Sequence, residues 1–414
     1  MNSNAPGKYE VNTFLRKVVR KVRKMLPKED IHNKKIVSLK TKNGNNGNIL
    51  LAYRIEPFLL KGEALEVLLK KHTNYWESLQ MANTFLDIGY DVDVISFLNE
   101  RLIPKKSYQI YINARTNFQK IAERLNSNCI KIVHLETAHW LFNNCEAHKR
   151  YLSIQRKRGL TLKTRKIIRE NWAIESADCA TMLGNNFTKS TYAYANKTIF
   201  TLPVPAVQVY PWQEDKDYEA CRNRFLWLGS EALVNKGLDL VLETFSNMPD
   251  FELIVCGPIE KESDFREAFY KELYQTANIK TVGWVDITSR QFSEFAKSCV
   301  GLIYPSCSEG QSGAVITCLQ AGLIPIVSYE SGVDAHDFGL VLNDCTVEEI
   351  ECNVRSISER PIEELKKMSR SAWEFARENN TKENYAKVFR STMERIILKE
   401  AVLRHGKNTN TMEE

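Results

Sequence analysis

The chain has no C-x-x-C pair. Its ten cysteines (129, 145, 179, 221, 256, 299, 307, 318, 345 and 352) are scattered, and Cys256 lies inside an apolar, strand-like run. That spacing fits thiols buried in a reducing compartment and speaks against a disulfide framework or a zinc site. No apolar run approaches the ~18 residues that a membrane span needs. The first 28 residues are basic but lack the unbroken apolar core and small-residue cleavage site of a secretory signal. A cytoplasmic protein is expected, with attachment to the inner face of the cell membrane as the alternative. No cluster of metal ligands is read from the chain, so neither a bound metal nor a cofactor is expected. A strong excess of one charge is missing as well: a net charge of +6 on 414 residues does not call for a nucleic acid partner.

What the sequence does have is globular composition, 43% hydrophobic and 26% charged, at a length that accommodates two ordinary domains. Between Phe14 and Leu26, FLRKVVRKVRKML places apolar residues at helical spacing and fills the other face with Arg and Lys. A basic amphipathic helix of this kind suits an anionic membrane surface, or else packs on the protein with its charged face in water. KTKNGNNGN at 40–48 is a turn-rich break.

Strand and helix patterns then alternate. Buried strands are predicted at 48–55, 91–98, 129–136, 179–183 and 198–205, with helical patterns at 75–89, 118–125, 163–175 and 187–195. After a proline-marked linker a second series places strands at 225–229, 252–257, 279–285, 301–306 and 324–329. Its helices fall at 236–248, 264–276, 289–299 and 312–321, and a largely helical tail covers 361–399. Alternation of this type means parallel sheets with crossover helices. The expected architecture is α/β, two Rossmann-like domains in tandem with a C-terminal helical tail. The segments are a basic N-terminal stretch (1–30), a first domain (31–205), a linker (206–222), a second domain (223–378), a C-terminal helix (379–403) and a disordered end (404–414).

In open parallel sheets, ligands bind beyond the carboxyl ends of the strands. That rule selects two loops of the second domain. After FLWLG comes SEALVNKG, with Lys236 at a helix entry; after GLIYPS comes CSEGQSGAV, with Glu309 before a helix. Gly310, Ser312 and Gly313 allow close backbone approach, a helix start favours an anion, and a lysine adds a point charge for phosphate. A phosphate-rich ligand follows in outline. Each feature alone is common, and a lone lysine such as Lys236 is more often a solvated surface group. In the first half, His72, Tyr75, Trp76, Arg115, Asn117, His134, Glu136 and His139 sit near helix starts or strand ends. The basic run from Lys149 to Arg169 either meets acidic glycan or lipid phosphate, or is a solvated face.

The stretches FLWLGSEALVNKGLDLVL (225–242) and IYPSCSEGQSGAVITCLQAGLIPIVSYESG (303–332) resemble the C-terminal domain of glycosyltransferase family 4, in a polysaccharide-associated bacterial subgroup. The resemblance covers most of 225–399 and fits the first half more loosely. It implies a GT-B fold, with two Rossmann-like domains facing a cleft and the donor held mainly by the second. It further implies that Lys236 meets the donor diphosphate and Glu309 the donor sugar, with Ser312, Gly313 and Ala314 offering helix-start amides to the phosphates. His139 is placed as a sugar-facing catalytic residue, and His72, Arg115 and Glu136 as acceptor-binding ones. Two positions depart from the family: Thr317 stands where the second Glu of its E-x7-E motif is expected, and Ser230 near its usual Arg.

The expected activity is hexosyltransferase-like: a retaining, metal-independent transfer from a nucleoside diphosphate sugar to a cell-surface glycan or lipid-linked acceptor. A nucleotide-sugar 2-epimerase on the same fold and a non-catalytic glycan-binding protein are the alternatives.

Overall fold

The structure is a computed structural model that describes residues 32, 35–114 and 116–410, with side-chain surroundings through Lys399. The amphipathic run at 14–26 and Arg115 lie outside the described residues. Compact packing divides the described residues into two units, one of those up to 133 with 175–178 and one of those in 134–174 and from 179 onward.

The first sheet contains β1 (Val37–Leu39), β2 (Asn48–Tyr53), β3 (Asp91–Ser96), β4 (Ile110–Asn113), β5 (Ile130–Leu135), β6 (Cys179–Leu183) and β7 (Ile199–Leu202), in the order β1-β3-β2-β4-β5-β6-β7. β1 runs antiparallel to β3, whereas β2 is parallel to β3 and β4, and β6 to β7. Ile49 to Tyr53 are all buried, as befits a parallel strand covered on both faces.

The second sheet contains β8 (Arg224–Leu228), β9 (Glu252–Cys256), β10 (Ile279–Gly283), β11 (Gly301–Tyr304), β12 (Ile324–Ser328) and β13 (Leu340–Leu342), in the order β10-β9-β8-β11-β12-β13. Every pairing in it is parallel. Strand alternation splits β8 between two cores. Phe225 and Trp227 join Leu233, Leu242 and Ile303 on one face, while Leu226 and Leu228 join Cys256, Phe292 and Leu302 on the other. The strand order reverses between β8 and β11, and Lys236 and Glu309 follow those two strands.

β1, β4 and β13 are three or four residues long and were not predicted; runs so short carry little periodicity. The expected helix at 163–175 does not form. The helix of this region is Trp140–Arg158, ended by Gly159 in the left-handed conformation (φ 66°) with its N–H on Gln155 O. Tyr151 and Ile154 of that helix enter the second sheet's core together with Leu162. The chain beyond Gly159 is irregular because side chains compete for its backbone. Asn144 Oδ1 accepts from Ile168 N–H at 2.9 Å and Asn144 Nδ2 donates to Ile168 O at 2.8 Å. Asn143 Nδ2 donates to Lys166 O, and Asp264 accepts from Lys163 N–H. Lys166 itself has φ 55°, which no right-handed helix admits.

Three helices end the described chain: Val347–Ser358, Ile362–Asn379 and Lys382–Asn410. The last continues past Leu403, where the sequence reading ends the ordered chain. It packs against β7, with the Arg395 guanidinium 5.5 Å from the Phe200 ring centre. All ten cysteines are free; most are buried, but Cys145 and Cys352 are exposed, contrary to the reading of the cysteines as buried thiols. Among the described residues no helix is long and apolar enough to cross a membrane.

Asn144→Ala removes both bonds that hold Ile168. It should destabilise the protein by about 1–3 kcal/mol and raise amide exchange selectively at 163–170. Unchanged exchange there would show that the asparagine does not fix this segment.

Candidate functional site

The loop after β8 reaches its conformation through a buried carboxylate. Glu262, 1% exposed, accepts from the N–H groups of Ala232 and Leu233 at 2.5 and 3.3 Å. Ala232 takes the left-handed conformation (φ 70°). Lys236 then leads into the helix Leu238–Ser246 through Gly237 (φ 74°). A Cβ at Gly237 would stand 2.3 Å from Pro305 O, so only glycine lets the two loops come this close. The Trp227 indole stacks on Tyr304 and donates to Lys236 O at 3.2 Å.

The loop after β11 is fixed in part by peptide groups. Glu309 N–H donates to Glu330 O and Ser312 N–H to Ser331 O, both at 2.9 Å. Ala138 N–H donates to Glu309 O at 3.2 Å, which brings the loop after β5 onto it. Gly310 sits where a Cβ would stand 2.2 Å from Glu136 O. Glu136 therefore meets the donor-loop glycine through its carbonyl.

Lys236 and Glu309 come together. Lys236 Nζ lies 2.5 Å from Glu309 Oε1 and 3.0 Å from the Tyr304 hydroxyl. The other carboxylate oxygen is taken by a residue that sequence reasoning did not assign to the site: Lys166 Nζ lies 2.5 Å from Glu309 Oε2 and 3.3 Å from Ser308 O. The sequence marked it only as one cation of the basic run from Lys149 to Arg169, because 163–175 reads as a helix with a basic face. Burial works to raise the Glu309 pKa, but the ammonium groups of Lys166 and Lys236 outweigh it and hold the carboxyl down at about 2. Glu309 is therefore an ionised acceptor at neutral pH rather than an acid. Burial alone would lower the Lys236 pKa, but Glu309 and Tyr304 raise it.

Around this core, Arg150 donates to Pro305 O through both terminal nitrogens at 3.2 Å and lies 3.8 Å from Asp239 Oδ1. Burial pushes the Asp239 carboxyl up to about 6 against the pull of Arg150. Ser308 Oγ and Asn235 Nδ2 are buried without a hydrogen-bond partner among the described residues. Such groups beside a charged cluster are the kind a ligand or water satisfies.

The remaining expected residues divide. Ser312 is the N-cap of the helix Gly313–Gln320 without capping it through its side chain; Gly313 is exposed and Ala314 half-buried. Thr317 Oγ1 donates back to Gly313 O at 2.7 Å. Ser230 is exposed at the end of β8. His139 is the N-cap of Trp140–Arg158. Its Nδ1 accepts from Leu141 N–H at 3.3 Å, and Nε2 lies 3.1 Å from the Tyr194 hydroxyl. That pattern fits a neutral ring with its proton on Nε2. His134 is buried against Thr181 Oγ1 at 2.9 Å, and Asn117 donates to Phe97 O; both are structural contacts. In the first unit, His72 is an exposed N-cap whose Nδ1 accepts from Asn74 N–H.

The expectation of a metal-free site rested partly on the chain having no D-x-D triplet, and that was wrong: it has two, at 91–93 and 215–217. Fold contacts occupy both. Asp91 accepts from Lys40 and Thr41, and Asp93 from Ser38 and Tyr108. Asp215 pairs with Lys297, and Asp217 caps Ala220 N–H.

No family model matches the chain, and no curated protein matches it in sequence. Solved structures do match in fold. Sucrose-phosphate synthase from Thermosynechococcus elongatus superposes with a TM-score of 0.57 at 10% identity, over 85% of this chain and 99% of that one. HepE from Anabaena, in complex with UDP-glucose, gives 0.53 at 12%, over 84% and 99%. The α,α-trehalose-phosphate synthase (UDP-forming) from Burkholderia vietnamiensis gives 0.50 at 11%, over 78% and 80%. The fold is GT-B. The chain spans 54% of the length of S. aureus TarM, which it also matches.

The depressed pKa of Glu309 makes a pH prediction. Folded, the group stays ionised down to about 2; unfolded, it titrates near 4.5. Its stabilising contribution is thus complete above the unfolded value and is lost as the pH falls from there toward about 2. In urea unfolding, the stability gap between wild type and Glu309→Gln should narrow as the buffer is taken from neutral into that window. A gap that stays constant would mean the carboxylate is not held down by the lysines.

Proposed function

We propose that this chain transfers a sugar from a nucleoside diphosphate donor, with retention and without a bound metal, to a surface glycan or lipid-linked acceptor. The observation that carries the reading is the meeting of Lys236 and Glu309 at the reversal of strand order. A buried ammonium and an ionised carboxylate side by side suit a diphosphate and a sugar hydroxyl respectively. The charge that a divalent ion would bring to a departing diphosphate is supplied here by lysine and by the start of the helix Gly313–Gln320. HepE, solved with UDP-glucose, and the UDP-forming trehalose-phosphate synthase make UDP the first nucleotide to test. Membership of glycosyltransferase family 4 belongs to this proposal. So does the placement of His139 on the sugar side of the site, with Ser312, Gly313 and Ala314 toward the phosphates and Glu136 toward the acceptor.

Lys236→Ala removes a charge-assisted contact of about 1.5–3 kcal/mol and should weaken UDP binding as well as turnover. Glu309→Gln should lower turnover more than UDP affinity, because UDP lacks the sugar that Glu309 meets. Thr317→Ala should be mild, since its hydroxyl bonds within its own helix. Full turnover by Glu309→Gln on a donor used by wild type would remove this site assignment.

Donor hydrolysis across several nucleotide sugars should persist in EDTA. Complete loss, restored by a divalent ion, would replace the metal-free part of the proposal. Release of epimerised sugar, or no turnover with any donor and acceptor, would replace the transfer reaction itself.

A further inference from the structure

Of the groups that meet at Glu309, Lys166 has no role in the reading so far. Its position is built rather than incidental. The residue lies in the left-handed region at φ 55°, a conformation that costs an L-residue free energy and persists only where the surroundings enforce it. The enforcing contacts lie on both sides. Tyr151 OH accepts from Arg165 N–H at 3.1 Å, and the Arg165 guanidinium pairs with Asp264 at 2.5 Å and lies 3.4 Å from Glu262. Asn143 holds the Lys166 carbonyl, and Asn144 holds both backbone groups of Ile168. Glu262 also shapes the loop that presents Lys236, so one carboxylate ties the two lysine-bearing segments together. A solvated surface lysine requires none of this.

The charges do not balance. Two ammonium groups share one carboxylate, and the nearby Asp239 faces Arg150 instead. Burial lowers the Lys166 pKa, and Glu309 recovers only part of that loss. Its ammonium is therefore short of counter-charge. The group has three N–H donors and uses two, on Glu309 and on Ser308 O, so one has no partner among the described residues. An added anion would supply what this cluster lacks.

We propose that Lys166 is a second cation for the donor diphosphate, contacting the phosphate that carries the sugar. On donor arrival its ammonium exchanges Glu309 Oε2 for a phosphate oxygen, and the freed carboxylate oxygen takes a sugar hydroxyl. This rests on the donor-site reading above. The phosphate next to the sugar is the one concerned, because Lys166 and the sugar share Glu309.

The test is calorimetric binding of UDP and UMP to the full chain, repeated with GDP and GMP and with ADP and AMP. The variants are Lys166→Ala, Lys166→Arg and Lys166→Gly; the last adopts the left-handed backbone freely and so preserves the segment. Ala and Gly should weaken binding of the nucleoside diphosphate about tenfold or more. They should leave monophosphate affinity unchanged, and Arg should retain most of the diphosphate affinity. Equal diphosphate affinity in wild type and Lys166→Gly overturns the proposal. Tighter binding by the Gly variant does so too, since Lys166 would then be a competitor for Glu309. An equal loss for diphosphate and monophosphate, with a lowered melting temperature, reduces Lys166 to structural support. If wild type binds no nucleoside diphosphate of the set, the donor-site reading fails and this proposal with it. If wild type binds and turns over while the variants match it, only Lys166 is wrongly assigned.

Discussion

A carboxylate taken out of water must have its charge answered, and the site of this protein is organised around that constraint. Glu309 is mostly buried, with an ammonium group on each oxygen at 2.5 Å. Leaving either oxygen unanswered in a desolvated setting would cost several kcal/mol. The loops that bring the lysines in are therefore tied to the placement of the glutamate. Lys236 arrives from the loop after β8, shaped by Glu262 and closed by Gly237; Lys166 arrives from an irregular run pinned by Asn143 and Asn144.

Those loops follow from the sheet. β8 and β11 are neighbours at the point where strand order turns from descending to ascending, and the helices that follow them, Leu238–Ser246 and Gly313–Gln320, pack on opposite faces of the sheet. Glu309 and Lys236 meet there because of where they stand after their strands.

This much was legible in the sequence. The long apolar strands, the alternation with helices and the two strand-end loops are all readable from periodicity. Lys236 and Glu309 stood out from position and from resemblance. Lys166 was legible as one cation of a basic run, but not as a member of this site. KTRKIIRENWAIE has helical spacing, and its irregular course is dictated by Asn143, Asn144, Tyr151 and Asp264, residues whose partners emerge only in three dimensions. The helix Trp140–Arg158 was missed for the related reason that its buried face is Asn143, Ala147, Tyr151 and Ile154, too polar to register as an apolar stripe. His139 shows the reverse case. Its place beyond a strand end was readable, but the capping of Leu141 N–H and the contact with Tyr194 were not.

Beside side-chain bonds from Arg150, Lys166 and Gln311, main-chain groups hold the loop that carries Glu309: Glu309 and Ser312 bond to the carbonyls of Glu330 and Ser331, Ala138 bonds back to Glu309, and Gly310 lies against the Glu136 carbonyl. Peptide groups are the same whatever the side chain. A scaffold fastened in this way leaves most of its side chains free to change, provided the close-approach glycines and the few charged groups remain. The same economy limits what can be inserted: an extra residue between Glu309 and Ser312 would put the two main-chain hydrogen bonds, to Glu330 O and Ser331 O, out of register with each other, so change at this loop favours substitution.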